Sequence, residues 1–208
     1  MWERTKKVSL ILSIIMITNT SIIGQSYEIG HTSSIFNDST RNRDISTEIF
    51  YPAEVAGQDV VITGGPYPVL IFGHGFVMTF ESYDNFWNEL VPQGYIMVFP
   101  GTEEGFTPDH GAFGLDLLFL EEAISHENTN NSSILFGAVE NKSAVLGHSM
   151  GGGSSFLAAE NNSNITTMIN FAAAETTPSC ISAATNVTIP ALVFAGSEDC
   201  VASPIDNL

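Results

Sequence analysis

Five short, mostly apolar runs separated by stretches of helical periodicity restrict the architecture of this chain more than any other feature. Residues 69–72, 95–99, 143–146, 167–171 and 191–194 are too short for helices. They are also too uniformly apolar for strands with one wet face, and they suit strands covered on both sides. Two earlier segments, 47–51 and 59–63, read as short strands around a glycine-containing turn. Between the runs, Tyr83, Phe86, Trp87, Leu90 and Val91 recur at helical spacing and are closed by Pro92 and Gly94. Residues 113–124 predict a strongly apolar helix, and 150–159 a helix of small residues. Strand and helix in alternation predict a parallel sheet wound on both faces with right-handed crossovers. In such sheets chemistry gathers in the loops at the carboxyl ends of the strands.

The first 26 residues differ in kind. Arg4, Lys6 and Lys7 precede an apolar run at 8–17 that continues with interruptions to Ile23, and Gly24, Gln25 and Ser26 follow. A basic start, an apolar middle and a small-residue exit predict a secretory signal peptide over residues 1–26, cleaved after Gly24 or Ser26. Asn19 and several Ser and Thr residues suit it poorly to a membrane span, which prefers roughly 20 apolar residues. The expected product is secreted or periplasmic, without stable membrane insertion, and residues 27–208 are long enough to bury one core.

Beyond residue 26 only Arg41, Arg43 and Lys142 are basic, against 22 acidic residues, a formal charge of −19. Such a chain repels nucleic acid and anionic membrane surfaces, and it leaves neutral or cationic small molecules as compatible partners. The acidity in itself reads as a solubilising surface. Cys180 and Cys200 belong to an exported chain, where cysteines are more often bridged than free. A bond between these two and a bond from Cys200 to a cysteine outside this sequence are both open. Asp109-His110 and Glu103-Glu104 are too sparse for a metal site. With no phosphate loop or dinucleotide fingerprint either, no cofactor is expected.

The sequence Leu146-Gly147-His148-Ser149-Met150-Gly151-Gly152-Gly153 holds G-x-S-x-G directly between a short strand and a helix. That context is what a nucleophile elbow demands: a turn so tight that the residues two before and two after the serine must be tiny. Ser149 is therefore the candidate nucleophile. Earlier in the chain, Phe72-Gly73-His74-Gly75-Phe76 follows the strand before the first long helix, where esterases build half of an oxyanion hole. The N–H of Met150, next after the serine, is the other half. His74 and His148 read as braces for their turns rather than as bases.

The elbow G-H-S-M-G-G-G resembles that of the cutinase-like and poly(ethylene terephthalate)-hydrolase group, close to dienelactone-hydrolase-like and chlorophyllase-like esterases. The resemblance runs from about residue 45 to the end and is most specific at the elbow, the Gly73 loop and 190–204. It implies a serine carboxylic-ester hydrolase on an α/β-hydrolase fold, with a mostly parallel sheet and helices on both faces. Its last strand and helix are expected beyond Leu208, so that 27–208 is an incomplete domain. It also implies that Phe76 supplies the first oxyanion N–H and lays its ring against the acyl group. Asp199 matches the acid that orients the base histidine, with Glu198 in reserve.

The order in this fold is Ser, Asp, His, yet His31, His74, His110, His126 and His148 all precede Ser149. The base is expected beyond Leu208, which would leave the printed chain a nearly inactive fragment; His110, at the correct sheet edge, is the substitute within it. Phe76, Met78, Phe80, Phe106, Phe113 and Met150 are candidate cleft residues for a small-molecule or polymeric ester. The polyester-degrading relatives carry a tryptophan after the sixth strand, where this chain has Ala174-Glu175-Thr176-Thr177, a departure that bears on polyesters and not on esters generally. A non-catalytic secreted binding protein and an acyltransferase using the same serine are the competing readings.

Overall fold

A computed structural model describes residues 26–162 and 164–203. The predicted signal segment, apart from Ser26, lies outside the described residues. Eight strands form one sheet: β1 (Glu28–Asp38), β2 (Arg43–Ala53), β3 (Gly57–Gln58), β4 (Tyr67–Gly73), β5 (Ile96–Pro100), β6 (Val139–His148), β7 (Thr167–Phe171) and β8 (Ala191–Phe194). Their spatial order is β3-β1-β2-β5-β4-β6-β7-β8. β1 and β2 form an antiparallel hairpin, and β2 meets β5 antiparallel. From β5 through β4, β6 and β7 to β8 every pairing is parallel. This is the mostly parallel, helix-covered sheet of the α/β-hydrolase class.

The helices are α1 (Asp84–Leu90), α2 (His110–Glu127), α3 (Met150–Ala159) and α4 (Cys180–Ala184). Alternate residues of the central strands serve opposite faces. Val69, Ile71, Ile96, Val98 and Val145 pack with Leu117, Leu120 and Ile124 of α2 and Ala158 of α3. Leu70, Phe72, Met97, Phe99 and Leu146 pack on the other face with Tyr83, Phe86, Trp87 and Leu90. Two-sided burial is why those strands read as unbroken apolar runs.

One expectation changes, one strand is added, and one open pairing is decided among the described residues. β1 was not anticipated: Glu28–Asp38 carries few apolar residues because its outer face is wet. Segment 59–63 is no strand; Gly57–Gln58 pairs with β1 instead, and Ile62 makes only an isolated bridge to Ala53. Cys180 and Cys200 are not joined. Cys180 is buried at the start of α4 and donates to the Glu175 carboxylate at 3.0 Å, whereas Cys200 is exposed. Burial, then Glu175, pushes the Cys180 thiol up to about 12, so it stays protonated. Among the described residues no helix is long and apolar enough to cross a membrane.

Candidate active site

The parallel strands end at one edge, where the loops after β4, β5, β7 and β8 surround the junction of β6 and α3. That junction is Ser149, with φ 54° and ψ −117°, a conformation that side-chain-bearing residues adopt only under constraint. The constraint is visible in its backbone. Ser149 N–H donates to Phe171 O at 3.0 Å, and Ser149 O accepts from Gly153 N at 3.0 Å and Ala174 N at 2.9 Å. β7, its following loop and α3 thus clamp the serine from both sides.

The glycines explain why the turn can close. A Cβ on Gly147 would stand 2.2 Å from Gly151 O, and one on Gly151 would stand 2.1 Å from Gly73 O. The loop after β4 therefore lies backbone against backbone on the elbow. Within it, Met78 N–H closes a turn onto Gly75 O at 3.1 Å, and Val77 is held at φ 54°. The N–H groups of Phe76 and Met150 find no acceptor among the described residues. Two unsatisfied donors beside a strained serine, one of them at a helix N-terminus, suit a developing oxyanion.

The neighbouring histidines brace this geometry. His74 is buried, its Nδ1 facing Gly75 O at 2.9 Å and its Nε2 facing Thr102 O at 2.8 Å, with its ring against Phe113. His148 Nδ1 lies 3.0 Å from the Tyr83 hydroxyl. Burial lowers the His148 pKa, and the charge of Asp199 works against that lowering. The Tyr83 hydroxyl thus faces two acceptors for its one proton, Met78 Sδ at 3.3 Å and, as a neutral ring, His148 Nδ1. Tyr83 in turn accepts the Gly75 N–H at 2.7 Å. Helical spacing had placed Tyr83 on a packing face; its hydroxyl also ties α1's leading turn to the oxyanion loop and the elbow.

Asp199 sits in the loop after β8. Its Oδ1 accepts from Ala202 N at 2.9 Å and Val201 N at 2.8 Å, and those N–H bonds hold it below the usual carboxylate range. Because β6, β7 and β8 run parallel, the loop after β8 lies at the same sheet edge as the elbow. Glu198 is exposed. His110 opens α2, and its Nδ1 accepts the Thr177 N–H at 3.1 Å. Among the described residues no side chain hydrogen-bonds to the Ser149 hydroxyl. The expected cleft divides: Phe113 and Met150 are buried and Phe80 packs on Phe50 and Trp87, while Phe76 and Phe106 stand exposed.

An ion cluster that the sequence did not reveal holds the loop after β5. Asp116, fully buried on α2, receives Arg43 through Nε at 2.9 Å and Nη2 at 2.7 Å, and Arg41 Nη1 at 2.8 Å. Arg43 also reaches Glu103 at 2.7 Å, whose other oxygen accepts Asp109 N–H at 2.6 Å. Thr102 donates to Asp116 at 2.7 Å. Segment 101–109 is thereby pinned at both ends.

The family model described as PET hydrolase-like matches residues 34–207. The chain belongs to the PET hydrolase-like family. Among curated relatives, chlorophyllase type 0 of Chenopodium album is 33% identical over 120 residues, covering 52% of this chain and 33% of that protein. The chain thus spans about a third of that curated relative. Within the PET hydrolase-like family member described here, the strained serine and both unoccupied donors fall inside the matched region.

Proposed function

We propose that this chain is an exported serine hydrolase that cleaves carboxylic esters through an acyl-enzyme on Ser149. The observation that carries the reading is the strained serine beside two backbone N–H groups left without acceptors. In this reading Ser149 Oγ attacks the ester carbonyl, and the carbonyl oxygen takes up negative charge against the N–H groups of Phe76 and Met150. The alcohol leaves with a proton, and water then attacks the acyl-serine by the same route. Each oxyanion donor of this kind is worth about 3 kcal/mol of barrier.

The serine proton needs an imidazole. All five histidines precede Ser149, and the rings of His74, His148 and His110 are engaged elsewhere. The reading takes the base from a histidine following Asp199 in the protein and outside the residues given, with Asp199 orienting it. Without that group the rate falls by about 10⁴ to 10⁶. In the stretch Ala174-Glu175-Thr176-Thr177, where the resemblance leads one to expect a tryptophan in polyester-degrading relatives, Glu175 instead caps Ile181 N–H and receives the Cys180 thiol, a departure that bears on polyesters and not on esters generally.

The test uses the full gene product. Fluorophosphonate labelling and hydrolysis of p-nitrophenyl butyrate are expected, and Ser149→Ala removes both, the hydrolysis by at least about 10⁴-fold. Labelling that persists in Ser149→Ala rules the assignment out. N-terminal sequencing of the exported protein, expected to begin at Gln25 or Tyr27, tests the leader.

A further inference from the structure

Of the methionines among the described residues, one is open to solvent, and it sits in the loop that carries a candidate oxyanion donor. Met97 and Met168 are 0% exposed and Met150 is 3% exposed, whereas Met78 is only half-buried. Met78 follows Val77, the residue held at φ 54°, and its N–H closes the turn onto Gly75 O. The thioether folds back over that turn. A Cβ on Gly75 would stand 2.9 Å from Met78 Sδ, 3.0 Å from His148 Nδ1 and 3.2 Å from the Tyr83 hydroxyl. Sulfur, imidazole and phenol therefore converge on the residue that precedes Phe76.

Tyr83 accepts the Gly75 N–H and has one hydrogen to offer, to Met78 Sδ at 3.3 Å or to His148 Nδ1 at 3.0 Å. A thioether is the weaker of those two acceptors. A hydroperoxide changes the balance. The sulfur lone pair attacks one oxygen of hydrogen peroxide, the O–O bond breaks, and one thioether and one peroxide become one sulfoxide and one water. Sulfur loses the two electrons that the peroxide gains. The new S–O group is polar and accepts hydrogen bonds strongly, and it is carried by an atom already 3.3 Å from the hydroxyl. It also adds an oxygen where the sulfur already lies against Gly75. Oxidation of this one residue thus acts on both the hydrogen bond and the backbone next to Phe76.

We propose that Met78 is an oxidation site whose sulfoxide draws the Tyr83 hydroxyl away from His148 and displaces the Phe76 N–H from the oxyanion position. The modification stands by itself, and its consequence for turnover rests on the ester-hydrolase reading of the same site. The full gene product is treated with hydrogen peroxide, and sulfoxides are mapped by peptide mass spectrometry. Met78 is expected to oxidise at least about tenfold faster than Met97, Met150 or Met168. Over the same interval kcat for p-nitrophenyl butyrate falls about tenfold while KM stays within about twofold, because only transition-state contact is lost. Methionine sulfoxide reductase restores the rate. Met78→Leu keeps its own starting rate in peroxide. In Tyr83→Phe, which lacks the hydroxyl that links sulfur to imidazole, peroxide lowers the rate by less than about twofold. The imidazole NMR signals of His148 move when the unsubstituted chain is oxidised and stay in place in Tyr83→Phe.

Faster oxidation of a buried methionine, an equal loss of rate in Met78→Leu, or complete Met78 sulfoxide with kcat and the His148 signals unchanged overturns the proposal. A loss of rate that follows oxidation of the exposed Cys200 thiol does the same. Hydrolysis of p-nitrophenyl butyrate dependent on Ser149 then still stands by itself. Movement of the His148 signals with Met78 oxidation, in a chain without any Ser149-dependent hydrolysis, supports the oxidation switch and removes the esterase reading instead.

Discussion

Tyr83 carries two roles that pull its ring and its hydroxyl into different neighbourhoods. The ring packs 4.6 Å from that of Phe72, and the oxygen joins Gly75 N–H to His148 Nδ1. Burial raises its pKa, so it stays a phenol. Tyr83→Phe preserves the packing and leaves a buried N–H without an acceptor, at a cost of about 1–3 kcal/mol. Because Gly75 immediately precedes Phe76, the same change is expected to lower kcat about tenfold while KM moves little, since only transition-state contact suffers. Urea unfolding and ester kinetics on the full gene product measure both; unchanged values in both would show that the hydroxyl positions nothing. The period of the helix made Tyr83's burial legible in the sequence. Its hydrogen bonds were not, because residues 75 and 148 meet it only through the tertiary fold.

Strands and helices were legible where burial on both faces left an unbroken apolar run or a clear period. β7, β8 and α3 have the bounds that their sequences predict, and the elbow falls between strand and helix. β1 was hidden because a strand with one wet face loses that signal, and α4 because five residues are too few to show a period. The α2 helix reads as apolar, and its single buried acid, Asp116, gave no hint that both arginines of the hairpin and Thr102 converge on it. That cluster fixes the loop bearing Glu104 and Phe106. Hydrogen bonding to Asp116 raises the Arg43 pKa, so the guanidinium remains charged throughout. Asp116→Asn removes the shared anion and leaves two partly buried guanidiniums with fewer partners, including an Arg41 Nη2 that already has none. The expected loss is about 3 kcal/mol. Amide exchange in segment 101–109 should also rise more than in β4 or β6. Destabilisation spread evenly over the sheet would mean that the cluster serves the core and not the loop.

At the scale of the whole molecule, the arrangement of charge sets an unusual response to salt. Beyond residue 26 there are 22 acidic residues and three cations, and two of the cations are committed to one cluster about Asp116. Among the described residues the exposed surface therefore holds little attraction for salt to screen, chiefly the Lys142–Glu140 pair. It holds a large repulsion, which favours expanded states over the compact one. Raising NaCl from 0.01 to 1 M shortens the screening length from about 30 Å to about 3 Å and removes most of that repulsion. The arginine cluster, partly buried, is screened far less. Stability is thus expected to rise by about 1–2 kcal/mol, an increase in Tm of roughly 3–6 °C for a domain of this size. NaCl is the right probe because sulfate and phosphate would add their own exclusion effects. A Tm that falls with NaCl would mean that surface ion pairs dominate the electrostatics, contrary to where the cations lie in this fold.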